Sequence, residues 1–214
     1  MFTIEADTLD HDHEHLVTSV CECLHAGGVV ALPTDTIYGV ATRLDHARKL
    51  FDVKGRRATK PVAICVGDVD DVYRWSTVTI PRALLHSLLP GAFTVVFQRT
   101  AALLSTVNPD SELVGLRVPD HELTRRVCRR LAQPLALTSA NKSDAPSALS
   151  VTDFADLWPH LDIVVDGGNL STDCLSGSTV LDFSQQGQCR ILRNGCGDPS
   201  LVRRLMNEHG IRLE

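Results

Sequence analysis

The chain has 214 residues, a formal net charge of −5, and 43% hydrophobic, 22% charged and 5% aromatic residues. Its length suits one good core better than two. The acidic balance and scarce aromatics argue against a strongly basic nucleic-acid binder or a base-stacking platform, and no apolar run approaches membrane-spanning length.

His11-Asp12-His13-Glu14-His15 has the look of a metal tract, with His11 and His15 on one face of an early helix. The favoured reading is a polar helix start, with Asp10 or Asp12 capping and Glu14 in the first turn. Leu16, Val17, Val20 and Leu24 carry helical spacing up to Gly27-Gly28. Residues 29–32 read as a buried strand, broken by Pro33-Thr34-Asp35-Thr36, and 37–41 as its successor. Hydroxyls and a carboxylate at a strand end can orient a small polar ligand or can simply make a turn.

A helix expected over 45–53 delivers Lys54-Gly55-Arg56-Arg57-Ala58-Thr59-Lys60-Pro61, a concentrated basic run in an acidic chain. Such a run is a solvated loop or a polyphosphate holder, since Arg offers paired donors and Lys a point charge. Strands follow at 62–66, 92–97 and 113–118, with helices at 69–75 and 81–89 between the first two, Pro81 standing at the first helical position. Residues 101–111 read as irregular. Arg117 interrupts an apolar strand, which requires an anion or a partner carboxylate.

Asp120 is expected to cap a helix through Leu131, whose Arg125, Arg126, Arg129 and Arg130 read as a wet face. The strand 134–137 runs into Thr138-Ser139-Ala140-Asn141, small polar residues suited to ligand contact or to a cap. A helix at 152–158, a strand at 163–165, a hairpin at 180–183 and 189–193, and a closing amphipathic helix complete the pattern. The alternation of strands and helices predicts an α/β fold.

The sequence contains neither G-x-x-x-x-G-K-[ST] nor G-x-G-x-x-G, so a nucleotide site must come from scattered side chains. H-E-x-x-H and G-x-S-x-G are missing too. The seven cysteines are scattered with no C-x-x-C pair, which points to reduced thiols in an intracellular protein. The first residues lack a secretory or mitochondrial leader pattern.

Taken in order, Pro33-Thr34-Asp35-Thr36-Ile37-Tyr38-Gly39, Lys54-Gly55-Arg56, Lys60-Pro61, Leu89-Pro90-Gly91, Gly115-Leu116-Arg117-Val118-Pro119, Ser139-Ala140-Asn141, Asp166-Gly167-Gly168, Gly177-Ser178-Thr179-Val180 and Ile191-Leu192-Arg193 form a specific set. It resembles the threonylcarbamoyl-AMP synthase (YrdC-like) family, in its short single-domain animal form. The resemblance implies a single-domain twisted open α/β sheet with helices packed on it and a positively charged concave groove. It implies one catalytic domain over 1–214, with a motif-matching core at about 13–197 and a C-terminal helix at 198–209.

The implied reaction joins L-threonine, bicarbonate and ATP into threonylcarbamoyl-AMP, pyrophosphate and water. The product would pass to a tRNA threonylcarbamoyl-transferase complex for N6-threonylcarbamoyladenosine formation in ANN-decoding tRNAs. By position, the resemblance implies Lys54, Arg56, Ser139 and Asn141 as the catalytic set. Arg56, Lys60, Ser139, Ser147 and Arg193 would hold ATP, and Thr36, Cys65, Arg117, Leu137 and Ser178 would hold threonine. Mg²⁺ would come with ATP and no metal would be held by protein. Cys65, Lys60, Leu113 and Lys142 depart from the residues common at those positions, where many members carry His, Asn, Thr and Leu. The expected setting is cytoplasmic, with a mitochondrial share left open, at most weak tRNA binding and no integral membrane segment. The alternatives are a double-stranded RNA or tRNA-binding module of the same fold and a carbamoyl-transfer enzyme.

Overall fold

The computed structural model describes residues 2–5, 10–55, 61–142, 145–170 and 176–214, with side chains from Glu14 onward. In chain order the elements are β1 (Phe2–Glu5), α1 (Asp10–His25), β2 (Val30–Leu32), β3 (Gly39–Arg43), α2 (Lys49–Lys54), β4 (Ala63–Cys65), α3 (Val72–Trp75), β5 (Ser76–Thr77), α4 (Arg82–Leu88), β6 (Phe93–Arg99), β7 (Leu113–Arg117), α5 (Glu122–Leu131), β8 (Leu135–Ser139), β9 (Ile163–Asp166), β10 (Thr179–Asp182), β11 (Gln188–Arg193), α6 (Pro199–Glu208) and β12 (Arg212–Leu213). The strands form one sheet in the order β1-β9-β2-β3-β8-β4-β7-β6-β10-β11-β12, with β5 beside β6. Parallel and antiparallel ladders mix in it: β4 and β7 run parallel, β4 and β8 antiparallel.

Strand alternation divides the core into two layers. On one face, Val40, Ile64, Val95, Leu116, Ala136 and Val164 join the larger cluster with Leu84, Leu85, Phe154 and Val202. On the other, Val30, Leu32, Ala41, Cys65, Leu135 and Leu137 meet α1 and α5. Leu16, Val20 and Leu24 from α1 and Leu123, Val127 and Leu131 from α5 supply that second layer, each at i, i+4 spacing, which places them on one side of their helix.

The outward arginines of α5 are tied to carboxylates. Arg126 and Arg130 pair with Glu14 on α1, and Arg129 pairs with both Asp68 and Glu122. These arginines hold Glu14 and Asp68 below the usual carboxylate range.

Several expected bounds shift. The helix expected over 45–53 is a 3-10 turn, Leu44–His46, followed by α2. The segment expected as helix over 152–158 is a 3-10 stretch, Val151–His160, with Pro159 inside it and non-helical backbone at Phe154. Pro81 is not the first helical residue but the N-cap, at ψ 144°. The short strands β1, β5 and β12 were not expected. The reduced state expected for all cysteines does not hold either, because Cys196 is disulfide-bonded. Among the described residues no cluster of three His, Cys, Asp or Glu could hold a metal, and no helix is long and apolar enough to cross a membrane. The side chains of His11 and His13 lie outside the described residues.

Candidate active site

The sheet face that packs on α1 and α5 continues across β4, β7, β6 and β10. Register fixes which side chains share it: Ala63 lies beside Leu137, Cys65 beside Arg117, Val96 beside Gly115, and Val180 beside Thr94. There the face forms the floor of a cleft of ≈ 360 Å³. Its depth comes from small residues, Gly39, Ala63 and Gly115, where other strands carry Leu or Val. At Gly115 a Cβ would stand 3.2 Å from Thr94 Cγ2, so a side chain there would press on the cleft floor.

At one end of the cleft, the loop after β2 wraps the guanidinium of Arg117. Thr34 Oγ1 accepts from the backbone N–H groups of Thr36 and Ile37 and donates to Ile37 O at 2.7 Å, which locks the turn. Thr124 Oγ1 on α5 donates to Pro33 O and anchors the loop's start. Arg117 Nη2 then donates to Asp35 Oδ1 at 2.7 Å and Thr36 Oγ1 at 2.6 Å. Arg117 is only 6% exposed and lines the cleft, yet among the described residues its buried Nε finds no hydrogen-bond acceptor. The partner carboxylate is Asp35, and Arg117 retains an unspent donor.

A second cluster stands where α2 meets the end of β8. Gly55 takes a left-handed conformation at φ 57° and ends α2 directly after Lys54. Lys54 is buried, and its Nζ donates to Ser139 O at 2.6 Å, Ser139 Oγ at 3.0 Å and Asn141 Oδ1 at 3.1 Å. A buried ammonium needs such acceptors. Asn141 in turn donates to Ala145 O. Thus one lysine orients two of the other expected catalytic residues.

The third cluster joins β6, β10 and β11. Arg193 Nη2 donates to Ser178 O at 2.7 Å and Ser178 Oγ at 3.3 Å. Ser178 Oγ shares a 2.7 Å hydrogen bond with Thr94 Oγ1. Arg117, Leu137, Ser139, Ser178 and Arg193 all line the cleft. Thr36 reaches it through Arg117 rather than by lining it; Lys54 bonds the cleft-lining Ser139, and Asn141 is joined to Ser139 by the same Lys54 ammonium. Ser147 is half-buried and does not line this cleft. Arg56 and Lys60 lie outside the described residues.

Cys65 stands apart from the other expected site residues. It was expected to touch an amino-acid ligand, but its side chain is fully buried in the layer under α5, with Cys128 Sγ 3.7 Å from its own Sγ. Helix α5 covers that end of β4. The hydrogen bond to Cys65, together with burial, raises the Cys128 thiol well above its ordinary range, so neither geometry nor charge makes it a nucleophile.

The Sua5/YciO/YrdC family profile, described as telomere recombination, matches residues 22–195. The chain belongs to this family. Among Sua5/YciO/YrdC proteins, threonylcarbamoyl-AMP synthase of Bos taurus is 45% identical over 205 residues, covering 92% of this chain and 74% of the relative. That of Homo sapiens is 44% identical, covering 92% and 73%. The crystal structure of P. abyssi Sua5 complexed with L-threonine superposes at a TM-score of 0.85 with 23% identity, over 100% of this chain. This chain spans 62% of that longer Sua5 chain, and the match establishes the shared fold.

Within the Sua5/YciO/YrdC cleft, Thr94 and Tyr38 were given no site role from the sequence, and Asp35 was noted only as a strand-end carboxylate. Asp35 pairs with Arg117, and Thr94 bonds Ser178. Tyr38 lines the wall while its hydroxyl bridges Gly168 O and Gly167 N. Burial pushes the Tyr38 hydroxyl up to about 12, so it stays protonated as a donor. An aromatic beside a glycine pair downstream was the available signal for Tyr38; Thr94 had none beyond its place in a strand.

Proposed function

We propose that this chain is a threonylcarbamoyl-AMP synthase. Relatives of that name match 92% of it at 44–45% identity. The observation that carries the chemical reading is the cleft in which Arg117, Ser139, Ser178 and Arg193 meet from distant segments. Proteins that activate an amino acid with ATP must hold two anions close together, and cations at fixed positions are what that task requires.

The amine of L-threonine attacks the carbon of bicarbonate, forming the N–C bond of a carbamate as a C–O bond breaks and water leaves; with carbon dioxide a C–O π bond opens instead and the amine releases a proton. A carbamate oxygen attacks the α-phosphorus of ATP, the bond to the bridging oxygen breaks, and pyrophosphate leaves with its electron pair. No side-chain nucleophile is needed, so positioning and charge carry the catalysis. Arg117 holds the threonine carboxylate through its cleft-facing donors, with Ser178, Leu137 and, through Arg117, Thr36 shaping that end. Arg193 and Ser139, with Arg56, Lys60 and Ser147, hold the nucleotide. Lys54 keeps Ser139 and Asn141 in place. ATP would enter as its Mg²⁺ complex, with the ion carried by the triphosphate.

The whole chain, 1–214, acts as one catalytic unit on this reading, with a positively charged groove, and the single sheet supports it. The product passes to a tRNA threonylcarbamoyl-transferase complex. Binding of tRNA is at most weak, because carboxylates already engage Arg126, Arg129 and Arg130. A cytoplasmic setting fits the free thiols Cys21, Cys23, Cys65, Cys128 and Cys189, with the bonded Cys196 as the exception.

The test is pyrophosphate release from ATP. Release should require both L-threonine and bicarbonate. Equal release with L-serine, or without bicarbonate, would contradict the assignment.

A further inference from the structure

The geometry points to Thr94 as a positioning residue for the amino-acid end of the cleft, acting through Ser178. This inference rests on the threonine-activating reading and deepens it.

Thr94 lies on β6 with its side chain on the cleft floor and is 5% exposed; Ser178 is 4% exposed. The β6–β7 ladder pairs Val95 with Leu116, so its next position sets Thr94 beside Arg117. On its other side, β10 runs parallel with Val180 opposite Thr94, which brings Ser178 within reach. The rotamer of Thr94 follows from its neighbours. Its Cγ2 sits over Gly115, where a Cβ would be 3.2 Å away, and its Oγ1 is 2.7 Å from Ser178 Oγ.

Proton counting then gives the pair its role. A threonine and a serine hydroxyl carry one proton each. One proton is spent in the bond between them, whichever oxygen donates. Arg193 Nη2 adds a donated hydrogen bond to Ser178 Oγ at 3.3 Å, and among the described residues no acceptor takes the second proton. The pair therefore keeps one O–H donor for the cleft, adjacent to the guanidinium of Arg117. A carboxylate bound by Arg117 is the acceptor that completes it, since a buried donor left without one is costly. Without the Thr94 hydroxyl, Ser178 loses the partner that fixes its orientation, and the donor is no longer held toward the ligand.

The experiment compares Thr94→Val, which keeps the shape and deletes the hydroxyl, with Thr94→Ser, which keeps the hydroxyl. L-threonine binding to the whole protein is measured by calorimetry, and the KM values for L-threonine and ATP come from pyrophosphate release. Thr94→Val should raise the threonine Kd and KM about tenfold, the size expected for one hydrogen bond to a charged group. The ATP KM should change less than about twofold, and Thr94→Ser should recover most of the loss. Thr94→Val combined with Ser178→Ala should bind threonine about as weakly as Ser178→Ala alone, because both act as one unit. Equal threonine affinity in wild type and Thr94→Val would overturn the inference and leave the functional reading standing. So would parallel losses for threonine and ATP that Thr94→Ser does not recover. A wild-type protein that binds no L-threonine would overturn both.

Discussion

Lys54 gives the sharpest prediction, because its ammonium is buried and aimed at two residues of the candidate site. Lys54→Met keeps the length of the stem and deletes the charge. Three acceptors lose their donor: Ser139 O at 2.6 Å, Ser139 Oγ at 3.0 Å and Asn141 Oδ1 at 3.1 Å. Each charge-assisted bond is worth about 1.5–3 kcal/mol net. The sum overstates the loss, since burying the ammonium itself costs several kcal/mol and that cost disappears with it. Water can also reach the half-buried Ser139 and Asn141. A net destabilisation of about 2 kcal/mol remains, or a Tm lower by about 4–8 °C for a chain of this size. Activity should fall much further, since the groups that must hold the reacting anions lose their common anchor. A loss of about 100-fold in kcat/KM corresponds to about 2.7 kcal/mol of transition-state stabilisation. The assay is pyrophosphate release well below the variant's Tm, with folding checked by circular dichroism. Lys49→Met is the control: its Nζ also donates to a backbone carbonyl, Gly27 O, but that contact lies outside the cleft. It should lower stability and spare kcat/KM. A folded Lys54→Met protein with kcat/KM within about threefold of wild type would refute the reasoning, because the P-loop-free design leaves electrostatic positioning as the main source of rate.

Three further substitutions test the surrounding geometry. Asp35→Asn leaves the 6% exposed guanidinium of Arg117 without its carboxylate and should cost about 3–5 kcal/mol, read by denaturant titration. Gly115→Val adds branched carbons beside Thr94 on the cleft floor; the strand should tolerate them, while the threonine KM rises at least about tenfold. Cys65→Ala should leave the threonine KM within about twofold and lower stability by about 1 kcal/mol, as a small cavity under α5 does. A large rise in threonine KM for Cys65→Ala would restore the ligand contact that its burial argues against.

Much of the fold was legible because the long-range pairs follow local pattern. Leu16, Val20 and Leu24, or Leu123, Val127 and Leu131, announce a buried helix stripe in the sequence itself. The strands β1, β5 and β12 were not legible. They are two to four residues long and exist by pairing with distant partners, as β1 does with β9. The site was readable wherever a residue contradicted its surroundings. Arg117 in an apolar strand and the hydroxyls after β2 both stood out, and they meet. Thr94 did not stand out, since a threonine is ordinary in a strand and its partner lies 84 residues away. The burial of Cys65 was not legible, because the helix that covers it comes from a segment far downstream.

The most direct measurement is a mass spectrum of the product formed from ATP, L-threonine and ¹³C-bicarbonate. A threonyl adenylate that carries the labelled carbon between its nitrogen and the phosphate is the expected ion. An unlabelled adenylate of threonine, or AMP formed without any amino-acid adduct, would contradict the account.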